Sequence, residues 1–233
     1  MVKRLVALAL LAVFGLVFAT LLTGYTPDAE LNPTARYYAE RTAADLGAAN
    51  IVTAIIVTYR GLDTLGEVTV LFLAAAIVGL VLAEGAHGHQ PGRRVRPPVG
   101  ELLTTGTRFL VPMILLLGAY VFVNGHLTPG GGFQGGAIIA SAVLLMLLAD
   151  PLRHFSHRLI SAIESLAGIL YVAIGIAGLF LAGGFLDNRI LPLGNLGELV
   201  SAGAIPLIYS LIGLKVGAEF SSMLASLSET EEL

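Results

Sequence analysis

The sequence predicts an all-α fold, a polytopic transmembrane helix bundle of about six spans plus one short helix that does not cross. Hydrophobic residues make up 56% of the chain and charged residues only 12%, whereas soluble domains carry roughly 25% charged residues. Apolar runs close to the ~20 residues that span a bilayer recur along the chain. The sequence contains no cysteine, which excludes disulfides, thiolate chemistry and iron–sulfur ligation, and no cofactor is expected.

The six predicted spans follow the apolar runs in order. The first run resembles a secretory signal because Lys3 and Arg4 precede it. It is long for a signal core and no small-x-small cleavage site follows, so we expect an uncleaved span. The six spans are predicted at Leu5–Thr23, Leu65–Ala83, Arg108–Val123, Phe133–Ala149, Leu159–Ala182 and Leu199–Gly217.

A seventh apolar stretch, Leu46–Tyr59, is too short for an ordinary span and favours a half-helix or an interfacial helix. Charge asymmetry tests whether it crosses. If it does not, and the N-terminus is cytoplasmic, most of the 13 Lys and Arg residues fall on the inner side. Only four arginines then remain at the outer side: Arg36, Arg41, Arg60 and Arg189. The positive-inside rule therefore favours a non-crossing helix and cytoplasmic termini. We expect a multi-pass protein of the cell inner (plasma) membrane.

The stretch from 84 to 107 is polar, basic and broken by prolines, which is typical of a linker. It predicts three parts: a two-span segment at 1–83, a basic cytoplasmic linker at 84–107 and a four-span domain at 108–233. No internal repeat relates the two membrane segments.

Asp63 and Glu67 form the first group of candidate functional residues. Four residues apart on a helix, they share one face, and two carboxylates there repel unless a proton or a cation intervenes. Thr64 can add an oxygen ligand, and Arg60 can hold Asp63 ionised. The group predicts a proton relay or a Na⁺ site, and no other metal site is expected. The alternative is an interfacial helix start whose acids are favoured by the helix dipole and are otherwise inert.

A glycine-rich loop forms the second group, on the predicted outer side between the third and fourth spans. Its glycines permit positive φ angles and close backbone approach, so the loop can coordinate an ion or form a tight turn packed against a neighbouring subunit. His126 can assist proton uptake or cap the turn. The candidate residues are His126, Pro129, Gly130, Gly131, Gly132 and Phe133. Elsewhere, Lys215 and Glu219 are spaced as a snorkelling salt bridge at the inner end of the last span.

These motifs resemble known families. The segment Pro129–Gly136, preceded by Asn-Gly-His and followed by an apolar helix, resembles the MnhB-type subunit of Mrp cation/proton antiporters, over roughly Glu101 to Glu219. Asn50–Leu82 is similar to the C-terminal end of the large MrpA subunit and to the small MbhE subunit of membrane-bound hydrogenases. Two departures are Leu62, where the family often has an aromatic residue, and Thr58, where it has an acid.

The resemblance implies a non-enzymatic membrane subunit of a multisubunit Mrp-type Na⁺/H⁺ antiporter, with Asp63 and Glu67 as the translocating acids. It implies that the glycine-rich loop supports antiport or assembly. The implied partners are antiporter subunits of the A, C, D, E, F and G types, Na⁺, H⁺ and the lipid bilayer, and no nucleic acid. Two alternatives stay open: a membrane arm of a hydrogenase-like or related respiratory complex, and a purely structural scaffold.

Overall fold

The structure is a computed structural model that describes residues 2–25, 30–86, 100–150 and 153–231. Eight α-helices are present among these residues, together with a π-helical turn at Ile55–Tyr59 and a 3₁₀ turn at Asn188–Ile190. The helices are α1 (Val2–Gly24), α2 (Pro33–Leu46), α3 (Ile51–Ala54), α4 (Gly61–Ala86), α5 (Glu101–Val123), α6 (Gly132–Ala149), α7 (His157–Leu181) and α8 (Ile205–Glu231).

The chain divides into two compact units, residues 1–37 and 38–233. The first contains α1, which is apolar on all sides and has no buried residue, as expected of a helix that is solvated by lipid. The second contains a bundle in which α8 is the central helix, packed against α4, α5, α6 and α7. Six helices in the described residues are long and apolar enough to cross a membrane, which confirms the predicted polytopic bundle.

The predicted short helix is present within the Leu46–Tyr59 stretch. It comprises α3 and the π-helical turn that continues it, and its axis makes an angle of 84° with that of α2. Asn188 Nδ2, in the loop between α7 and α8, donates to the Leu46 carbonyl at 2.9 Å. The same loop reaches the other end of the stretch, because a Cβ on Gly61 would lie 3.0 Å from Leu186 Cδ1. Both ends of the stretch therefore contact one loop.

Three span boundaries differ by more than five residues from the sequence prediction: the start and the end of the last span and the start of α5. The last span begins at Ile205 instead of Leu199, because Ala202 (φ 59°) and Gly203 (φ 58°) adopt left-handed conformations that interrupt a helix. It then continues through Gly217 to Glu231. Helix α5 begins at Glu101, ahead of Arg108, with this acid in the first turn, where the helix dipole favours it. Residues 87–99 of the predicted linker lie outside the described residues.

Helix α2 was not expected from hydropathy because it is polar. The local signal for it is Asn32-Pro33: the Asn32 side chain accepts a hydrogen bond from the Ala35 N–H at 2.8 Å, and proline suits the first helical position.

Candidate ion-translocation site

The acidic group lies where the short helix turns into α4. Asn50 caps α3, and the wider π-helical turn then leads to Arg60, whose N–H donates to the Ile55 carbonyl at 2.7 Å. Thr64 is buried, and its hydroxyl donates to the Ile56 carbonyl at 2.5 Å. Thr64 therefore stabilises the join between the π-turn and α4, and it lies on a different face from Asp63 and Glu67.

Asp63 lies in the first turn of α4 and is paired with Arg60. The Arg60 Nη2 to Asp63 Oδ2 distance is 2.5 Å, with both side chains more than half exposed. An ion pair this exposed contributes about 0–1 kcal/mol to stability, so its significance is the charge that it places at the end of the helix. The pairing is the one that the sequence spacing suggests.

Glu67 lies one turn further along α4, on the same exposed stripe as Asp63. The next residue, Val68, belongs to the same buried cluster as Tyr171 (α7) and Tyr209 (α8). Both tyrosines are 1% exposed and their hydroxyl oxygens have no hydrogen-bond partner. The Tyr209 hydroxyl is close to Thr53 but outside hydrogen-bonding geometry. Glu67 therefore lies at the edge of a bundle interior that contains unsatisfied polar groups.

A groove of about 660 Å³ continues from this face between α4 and α7. Its walls are mostly apolar, with Leu65, Val68 and Phe72 on the α4 side. Its polar residues are Thr69 from α4, Glu164, Ser165 and Tyr171 from α7, and Lys215 from α8.

The glycine-rich loop binds the short helix instead of remaining free. The Asn50 side-chain amide donates to the carbonyls of Gly125 at 2.9 Å and Thr128 at 3.0 Å. The Asn50 N–H donates to the His126 carbonyl at 3.0 Å, and the Thr53 hydroxyl to the Gly125 carbonyl at 2.6 Å. These bonds fasten the helix that precedes the acidic pair to the loop that precedes α6.

His126 is fully buried in this loop. Its Nε2 lies 3.3 Å from the Glu198 carbonyl oxygen, and its Nδ1 has no partner. Burial lowers the pKa of His126 below its ordinary value. Nearby backbone groups, the Glu198 carbonyl among them, raise the pKa, but by less than burial lowers it. The neutral imidazole is therefore favoured at neutral pH, and it joins the glycine-rich loop to the loop between α7 and α8.

The loop glycines serve close packing. Gly131, at φ 161° and ψ 175°, is extended instead of left-handed. A Cβ on Gly130 would lie 2.7 Å from the Val121 carbonyl oxygen, and one on Gly132 would lie 2.5 Å from Ile212 Cγ2. The loop and the start of α6 therefore pack directly against α5 and α8 of the same chain. Of the remaining candidates, Phe133 packs against the core and Pro129 is exposed.

The two predicted groups meet indirectly. Helix α3 lies between them, and Tyr209 contacts the loop, since a Cβ on Gly125 would lie 2.6 Å from its ring. Tyr209 also belongs to the buried cluster that contains Val68, the residue after Glu67.

Sequence reasoning misplaced Lys215 and Glu219. The predicted snorkelling pair at the inner end of the last span is instead buried, with Nζ 2.6 Å from Oε1 and exposures of 8% and 0%. The error follows from the helix bounds, since α8 starts later and ends later than predicted and these residues lie in its interior. A span boundary drawn at Ile205 would have located the pair correctly.

Comparison with known proteins gives two family matches that divide the chain. Residues 102–222 match a domain related to the MnhB subunit of the Na⁺/H⁺ antiporter. Residues 2–99 match MbhE, a subunit of the MBH complex. An uncharacterized protein of Methanocaldococcus jannaschii is 34% identical over 74% of this chain and 74% of its own length.

Two solved structures are similar over nearly the whole chain. A chain of the membrane-bound sulfane sulfur reductase, an archaeal respiratory membrane complex, is 42% identical with a TM-score of 0.83, covering 97% of this chain and 98% of that one. A chain of the Mrp complex from Dietzia sp. is 30% identical with a TM-score of 0.77, covering 98% of this chain. This chain spans only 26% of the Dietzia chain.

Proposed function

Because the chain belongs to the family with a domain related to the MnhB subunit of Na⁺/H⁺ antiporters, we propose that it is a membrane subunit of an Mrp-type module that exchanges a monovalent cation for protons. The observation that carries the proposal is the structural match to an Mrp complex over 98% of this chain at 30% identity. The role is non-enzymatic, and the partners are the remaining antiporter subunits of the A and C to G types. The three-part division at 1–83, 84–107 and 108–233 belongs to the proposal, supported by two family matches that meet between 99 and 102.

The host complex is either a stand-alone antiporter or a respiratory complex that carries the same module. The second is favoured by one observation: the sulfane sulfur reductase chain is matched over 98% of its length, whereas only a quarter of the Mrp chain is matched. Subunits that co-purify with this chain distinguish the hosts, because only the respiratory complex includes redox subunits.

We place the multi-pass protein in the cell inner membrane with both termini cytoplasmic. This orientation puts the segment before α3, the glycine-rich loop and the loop between α7 and α8 outside, and contacts among the three support the placement. Asn188 donates to the Leu46 carbonyl, and His126 Nε2 lies beside the Glu198 carbonyl oxygen. On the opposite side His157, at the start of α7, lies 2.8 Å from Glu229 near the end of α8. Arg158, the residue after His157, lies on that second side, as the positive-inside rule requires.

Asp63 and Glu67 are the proposed exchange ligands. They share one exposed stripe of α4, which partner subunits cover in a complex. A carboxylate at membrane depth usually carries a bound proton or a bound cation. Since a bound proton removes the charge that attracts a cation, the two ions compete for one site. Arg60 pairs with Asp63 at the helix end, which leaves Glu67 as the acid that we propose to exchange its proton.

The test is Glu67→Gln in the intact complex in proteoliposomes. We expect cation-dependent proton movement to fall about 100-fold, the loss typical of removing one proton-transfer group, with the complex still assembled. Glu101→Gln, at an exposed first-turn acid of α5, is the matched control and should leave the flux unchanged. Unimpaired transport by Glu67→Gln, or by the joint amide variant at positions 63 and 67, would support the scaffold alternative.

A further inference from the structure

Lys215 and Glu219 form a buried ion pair on α8. The Glu219 carboxyl is fully buried, yet only Oε1 is bonded, to Lys215, and Oε2 has no hydrogen-bond partner. An unsatisfied carboxylate oxygen in an apolar interior is destabilising, because it has lost its hydrogen bonds to water and gained none in exchange. The free oxygen is therefore placed to take up a proton.

Contacts put this pair near the middle of the membrane. Lys215 Nζ lies 5.0 Å from the ring centroid of Phe72, which is midway along the Gly61–Leu82 span. On the other side a Cβ on Gly168, near the middle of α7, would lie 3.6 Å from Lys215 Cδ. The missing side chain at Gly168 leaves room for the lysine stem to lie along α7. At this depth an ion pair is costly, so its presence indicates a function.

One member of the pair, Lys215, lines the groove between α4 and α7, and Glu164 and Tyr171 line it from α7. The Tyr171 hydroxyl, on a side chain that is 1% exposed, has no partner and is an independent sign of a missing polar neighbour. A space of about 660 Å³ with five polar lining residues is large enough to hold several bridging waters.

The groove lining joins α4 to α8. Val68, the residue after Glu67, lines it from α4, and Lys215 lines it from α8, with Glu164 and Tyr171 between them on α7. The groove therefore runs from the residue beside the proposed exchange site to the middle of α8.

We propose that Lys215 and Glu219, with Glu164 and Tyr171, form a second proton-binding station, reached from Glu67 through water in the groove. The inference deepens the proposed function and depends on it for the direction of flow. A proton arriving from the groove adds to Glu219 Oε2, and Lys215 keeps its charge against the Phe72 ring. Release of that proton restores the neutral ion pair.

The test compares single and double substitutions in the intact complex. Lys215→Met or Glu219→Gln alone leaves one charge or polar partner unmatched in the interior, so either can impair assembly. The double variant K215M/E219Q removes both charges and should assemble. We expect it to lose about 100-fold in cation-dependent proton flux, the size expected for a lost proton-transfer group. A double variant that assembles and transports like the wild type would show that the pair is structural, and would overturn the proposal.

Infrared difference spectroscopy on the wild-type complex gives a readout that does not depend on antiport. A pH step should reveal the carbonyl stretch of a protonated carboxylic acid that shifts in Glu219→Asp, whether or not the double variant assembles. Absence of a Glu219 band at all pH values would overturn the station. A Glu219 band in a wild-type complex that shows no antiport would instead refute the proposed function and leave the proton-binding site standing.

Discussion

Asn50 should be the most sensitive polar residue of the short helix. Its Nδ2 donates to the carbonyls of Gly125 and Thr128 at 2.9 and 3.0 Å, and its Oδ1 accepts from the Thr53 N–H at 3.4 Å. Asn50→Ala removes two hydrogen bonds of about 1 kcal/mol each and an N-cap of at most about 1 kcal/mol. Gly125 keeps its bond from the Thr53 hydroxyl, so we expect a loss of about 2–3 kcal/mol in the free energy of unfolding.

Asn50→Ser separates the two contributions. Serine is a good N-cap but is too short to bridge both carbonyls, so this variant should recover about 1 kcal/mol of the loss. The assay is equilibrium unfolding of the purified chain in mixed micelles, followed by far-UV circular dichroism. The matched control is Asn195→Ala, at an exposed residue that bonds only the exposed Glu198 side chain, with an expected change within about 0.5 kcal/mol. If Asn50→Ala and Asn195→Ala unfolded alike, the glycine-rich loop would not hold the short helix.

Two further predictions concern the glycine-rich loop. Gly132→Ala places a Cβ 2.5 Å from Ile212 Cγ2 and 3.0 Å from the Tyr209 carbonyl oxygen, so it should lower the unfolding free energy by about 1–3 kcal/mol. Gly66→Ala, with no atom within 4 Å, should be neutral or stabilising in the same titration, and equal effects would contradict the packing argument. Because burial lowers the pKa of His126 in the folded chain, the unfolded chain binds that proton more tightly. Stability should then decrease as pH falls below about 6.5 and level off below the folded-state pKa. A pH series on His126→Gln should lack this slope, and an unchanged slope would place its origin elsewhere.

Hydropathy and charge predicted the spans well, because in a membrane each crossing must be an apolar helix with its backbone satisfied internally. The short helix was also predictable, because its apolar stretch is too short for an ordinary span. Asp63 and Arg60 were predictable as a pair from spacing alone.

What the sequence could not reveal depends on tertiary contacts. The start of α8 is determined by Ala202 and Gly203, whose left-handed conformations are held by the loop around Asn188. Because α8 begins later than predicted, Lys215 lies in the bundle interior and not at the membrane interface. Likewise, the glycines of the loop suggested ion coordination as readily as close packing, and only the neighbouring helices decide in favour of packing.

The proposed function requires that the complex containing this chain exchange a monovalent cation for protons. Proteoliposomes with the purified intact complex and a preformed pH gradient test this directly, using pulses of Na⁺, K⁺ and choline at equal ionic strength. We expect Na⁺ or K⁺ to dissipate the gradient and choline to leave it unchanged. A gradient that decays no faster than in empty vesicles after every pulse would contradict it.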